Sequence, residues 1–110
     1  MNKFELFSLI FLALDAQWDN TQNETLRQYL SGANPFLWAD LSSADPECYD
    51  TFCEIVKENN IKIDNSYKAA KDYVEKLGIS DILEAFLKVD ETQWLDATKK
   101  YLSSPHKGEN

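Results

Sequence analysis

Histidine occurs once in this chain, at position 106. A Ser/His or Cys/His couple, or a histidine-rich metal site, would therefore have to be built from the last few residues. Gly and Pro occur three times each, too few for a Gly-rich phosphate loop or a low-complexity linker, and no HExxH or CxxC spacing is present. No cofactor motif is found, so no cofactor is expected. The two cysteines, Cys48 and Cys53, lie on a segment read below as one helix, about 140° apart around its axis. They cannot pair with each other there, and reduced thiols in a reducing compartment are expected.

Lysine and arginine are scarce in the first half. Residues 1 to 56 hold two bases, Lys3 and Arg27, against nine acids, whereas residues 57 to 110 hold nine bases against ten acids. Most of the formal net charge of -8 thus belongs to the first half. An excess of that sign repels nucleic-acid backbones and anionic lipid surfaces, so neither nucleic acid nor membrane is expected as a partner.

A long apolar run is also missing. The N-terminal stretch MNKFELFSLIFLALDAQW has an apolar core from Leu6 to Leu14, far short of the roughly 20 residues that span a bilayer. Glu5 interrupts its basic region, Asp15 follows directly, and no small-x-small cleavage site appears, which argues against a signal peptide. A buried core helix in a cytoplasmic protein is the expectation.

What is present is helical periodicity. Phe4, Phe7, Phe11, Leu14 and Trp18 recur at threes and fours with Leu6, Leu9, Ile10 and Leu12 widening the stripe, which predicts a largely buried helix over residues 3 to 18. A short helix follows from Glu24 to about Leu30, capped by Asn23 and stopped by Gly32. Residues 34 to 43 read as a loop. Asp45 followed by Pro46 opens a third helix, to about Glu58, with Tyr49, Phe52, Cys53 and Val56 inward. Helices over 66 to 77, after Ser80 as a cap, and from Asp90 complete the chain. The fourth turns Tyr67, Ala70, Tyr73, Val74 and Leu77 inward and the fifth Ile82, Leu83, Phe86 and Leu87. The sixth opens on Asp90 and Gln93, spaced as in a capping box, and turns Trp94, Leu95, Thr98, Tyr101 and Leu102 to one side. The fold expected is all-α, a compact single-domain bundle of five or six helices over residues 1 to 103. Residues 104 to 110, SSPHKGEN from position 103 onward, offer nothing apolar to bury and predict a mobile polar tail.

One arrangement stands apart from ordinary amphipathicity. Glu47, Asp50, Glu54 and Glu58 are spaced three, four and four residues and fall within an arc of roughly 80° on an ideal helix. Like charges at that spacing cost a helix a few tenths of a kcal/mol per pair, whereas the fourth helix alternates signs, Lys68 with Asp72, Lys71 with Glu75 and Asp72 with Lys76. The preceding loop carries Phe36, Leu37 and Trp38 after Pro35, with Asp40 close by. A charged rim beside an exposed aromatic is a common interface design. Together these residues predict a docking surface for a basic protein, with Trp38 the better anchor because Tyr49 faces inward. In charge and class, though by no motif, the chain is similar to bacterial immunity proteins and antitoxins that cap basic nuclease toxins. The competing expectations are that the stripe is a solvated face and the aromatics plug the bundle's end. Two other classes remain open. One is a carboxylate-dependent metal-binding protein or small enzyme using Asp15, Asp19 and Asp40. The other is a homo-oligomer subunit joined through the first helix.

Overall fold

A computed structural model describes residues 1–109. Six α-helices follow one another: α1 (Lys3–Thr21), α2 (Glu24–Ala33), α3 (Pro46–Ile55), α4 (Ile63–Leu77), α5 (Ser80–Leu87) and α6 (Glu91–Leu102). No strand occurs among the described residues. None of these helices is long and apolar enough to cross a membrane.

Local chemistry sets most of the boundaries. Asn23 Oδ1 accepts from Leu26 N at 3.0 Å, Asp45 Oδ1 from Glu47 N at 3.1 Å and Asp90 Oδ2 from Gln93 N at 3.1 Å, so the three expected caps are formed. A full reciprocal capping box stands elsewhere, at the start of α1. There Asn2 Oδ1 accepts from Glu5 N and Glu5 Oε1 accepts from Asn2 N, both at 2.8 Å. Gly78, at φ +76°, ends α4 in the left-handed conformation that glycine adopts without steric cost.

Other boundaries depart from the sequence reading. The second helix continues to Ala33, and Gly32 lies inside it rather than past its end. A Cβ at Gly32 would come within 3.1 Å of Cys48 Sγ, so this glycine serves the close approach of α2 to α3. The fourth helix begins at Ile63, three residues early, and Ser66 lies inside it, accepting from Trp94 Nε1 at 2.8 Å. Ser80 is the first residue of α5 rather than its cap, a position taken by Ile79, and Leu87 is exposed rather than inward. Of the three expected pairs on α4, Lys68 with Asp72 closes, at 3.1 Å.

The first helix is the axis of the molecule. Every residue from Phe4 to Phe11 is buried, as is Leu14, and α2, α3, α4 and α5 all pack against it. An aromatic chain runs through the core from Phe4 and Phe7 across Tyr49 and Phe52 to Tyr73, with successive ring centroids 4.8 to 6.0 Å apart. Such edge and offset contacts add about 0.5–1.5 kcal/mol per pair to the burial itself. Tyr73 shares a 2.7 Å hydroxyl hydrogen bond with Tyr29, and burial pushes its pKa up to about 12. A second group, Tyr67, Phe86 and Trp94, joins α4, α5 and α6.

The C-terminal segment corrects the largest expectation. Residues 105 to 108 return to α1 and dock. Asn2 Nδ2 donates to Gly108 O at 2.9 Å, His106 Nε2 lies 2.6 Å from Glu5 Oε2, and the His106 ring lies 4.6 Å from that of Tyr101. The reason is polar rather than apolar complementarity, with a buried carboxylate and free carbonyls receiving the donors of the tail.

Candidate functional site

The segment between α2 and α3 is a closed loop. Gly32 O accepts Asp45 N and Asn34 O accepts Ala44 N, each at 2.8 Å, so the two ends of the loop are tied together. Asn34 Oδ1 then accepts Phe36 N at 2.9 Å, an Asx turn that starts the bend. Ser43 is fully buried; its hydroxyl donates to Asp45 O and accepts Tyr49 N at 3.0 Å, fastening the loop to α3.

With its base fixed, the loop turns its apolar side chains outward. Pro35 is buried, but Phe36 is 42% exposed, Leu37 57%, Trp38 56% and Leu41 54%. These are four of the six large apolar side chains that reach solvent among the described residues. Phe36 keeps an edge contact with Phe11 at 6.0 Å, so it half plugs the bundle while the other three do not. Trp38 Nε1 donates to Ala44 O at 3.3 Å, which holds the indole beside the start of α3.

That start is acidic. Glu47, Asp50 and Glu54 are all exposed along α3, Asp40 is exposed on the loop, and none of them has a basic partner within 4.0 Å among the described residues. Glu58 does not complete the stripe. The helix ends at Ile55, and Val56 turns extended at φ -99°, ψ 108°. Val56 is thereby buried where a continuing helix would place it too, but Glu58 leaves the helical register. Tyr49 lies against Phe4 and Phe7 at 5.5 and 5.2 Å and is a core side chain, not an anchor.

Two residues that sequence reasoning passed over also belong here. Leu41 adds to the exposed apolar set. Lys107, from the docked tail, donates Nζ to Pro35 O at 2.6 Å and to Trp38 O, with the ammonium 5.2 Å from the Phe4 ring centroid. A single cation thus gathers two carbonyls of the loop. No local pattern could have announced this, because the partners lie 69 and 72 positions away.

Both nitrogens of His106 are engaged, Nε2 with Glu5 and Nδ1 with Ser104 O at 2.6 Å, which leaves neither free to take a substrate proton. Burial tends to lower the His106 pKa, but its hydrogen bonds to Ser104 O and Glu5 outweigh that and hold it above the usual imidazole value. The Cys48 thiol is pushed up by burial and by Asp45 and Glu47, the opposite of an activated thiolate. Asp15 and Asp19 are exposed at the end of α1, and Asp40 does not join them, since no group of three or more potential metal ligands occurs among the described residues. No family model matches this chain, and no curated protein and no solved structure matches it significantly.

Proposed function

We propose that the loop over residues 34 to 45 and the acidic face of α3 form a docking surface for a basic protein. The observation that carries this reading is the exposure of Phe36, Leu37, Trp38 and Leu41 on one loop whose backbone is fixed at its base. Leaving about half of each such side chain in water forgoes roughly 1 kcal/mol per residue, and the fixed backbone lowers the ordering cost of binding. Asp40, Glu47, Asp50 and Glu54 around it supply the long-range attraction, which raises the encounter rate more than the final affinity. Trp38 is the central anchor. Within this reading the partner is a basic enzyme, a nuclease toxin by analogy of charge, and the mechanism is occlusion: the acids compete with nucleic acid for the partner's basic cleft.

The test is capture from source-cell lysate on three baits: the natural chain, Trp38→Ala, and the triple reversal Glu47→Lys, Asp50→Lys, Glu54→Lys. The reading expects one basic protein retained by the natural chain, released as salt rises, and lost from both variants. One molar equivalent should then inhibit that protein's nucleic-acid cleavage. Equal recovery on all three folded baits would return the stripe to an ordinary solvated face.

A further inference from the structure

A second feature lies away from the loop, between α1 and α6. Residues of both helices line a groove of about 480 Å³, within the size range of small-molecule sites. Leu9 and Leu12 of α1 face Trp94 and Ala97 of α6 across it, Val89 lies at the same wall, and Ser104 with Pro105 of the docked tail line it as well. Small side chains at Ala13, Ala16 and Ala97 leave the space open.

One further observation bears on an occupant. It is charge: the chain has nineteen acids, yet no acid lines this groove, and its one charged lining residue is Lys100. Lys100 is exposed and has no acidic partner within 4.0 Å among the described residues. Thr98 and Tyr101 also line the groove, but their hydroxyl oxygens are buried away from its open space, Tyr101 OH toward Ser8 of α1, so the polar contact available to an occupant is Lys100.

We infer that the α1–α6 groove is a binding site for a small amphipathic carboxylate, its hydrocarbon body against Leu9, Leu12 and Trp94 and its carboxylate at Lys100. A cationic amphiphile would find no counter-charge in the lining, and a neutral one would leave Lys100 unused. The acidic loop plays no part in this site.

Decanoate, decan-1-ol and decyltrimethylammonium, each kept below its micelle concentration, would be titrated into the isotope-labelled full chain and followed by amide chemical shifts. Decanoate should shift Leu9, Ala13, Ala97 and Lys100 saturably and bind tighter than the other two. Ala97→Trp, which fills the groove, should abolish those shifts, and Ala16→Leu should do the same if the first variant fails to fold. Lys100→Gln should weaken decanoate about fivefold, the loss expected for one exposed ion pair, and leave decan-1-ol unchanged. Equal affinity for decanoate and decyltrimethylammonium, binding that survives in the filled groove, or no saturable shift at all would overturn the assignment.

Discussion

Gly108 shows how much can depend on one missing side chain. It sits at φ +85°, and a Cβ placed there would come within 2.6 Å of Phe4 Cδ1. Phe4 is buried and edges onto Tyr49, so its ring cannot swing away freely. Gly108→Ala should therefore cost about 1–2 kcal/mol from the left-handed backbone alone, with more from the collision, unless the tail detaches. Urea unfolding would measure it, and an unchanged midpoint would mean that the tail is not held as described. Nothing in residues 104 to 110 advertises this role, because a lone glycine in a polar segment reads the same whether it faces solvent or a ring. Asp45 and Asn23 were legible for the converse reason: a cap is satisfied two or three residues away and needs no tertiary partner.

At the scale of elements, α3 combines two demands. Its inner face, with Phe52 fully buried, joins the core, while Glu47, Asp50 and Glu54 repel one another outside. Asp50→Lys should replace two repulsions with two attractions and stabilise the chain by about 1 kcal/mol, while weakening capture of a basic partner. Opposite signs in thermal unfolding and binding would mark the stripe as kept for binding; parallel changes would mark it as structural. The periodicity that made this face readable also misled at its end. Val56 satisfies the inward pattern of a helix yet is buried from an extended backbone, so Glu58 was placed on a turn that does not exist. Gly32 misled similarly, since a glycine near a helix end signals a stop or a close approach equally well, and here α3 lies against it. The loop's outward side chains were partly legible: Phe36 and Trp38 stood out by type, whereas Leu41 became distinct only once the loop's closure was known.

For the molecule as a whole, the docked tail links parts that the sequence keeps far apart. His106 is 5% exposed in its side chain, covered by the groups directly against it rather than by depth. Glu5 on α1, Glu109 within the tail at 4.0 Å from Nδ1, and the Tyr101 ring on α6 face it, and Ser104 O holds Nδ1. Its folded-state pKa is raised, so the protonated ring's contribution is fully present below the ordinary imidazole value of about 6.5 and is lost as pH rises through the higher folded value. Unfolding measured across that window should show the natural chain losing stability relative to His106→Gln; superimposable pH curves would sink the idea. The burial of α1 carries a different consequence, one of time. The run from Phe4 to Phe11 is synthesised before every helix that covers it, and α5, which packs on it, ends at Leu87. At about 5–20 residues per second, that leaves the most apolar segment of the chain incompletely covered for roughly 4–15 seconds on the ribosome. Until its later helices arrive, a nascent chain built this way presents the kind of apolar surface that aggregates and that holding chaperones bind.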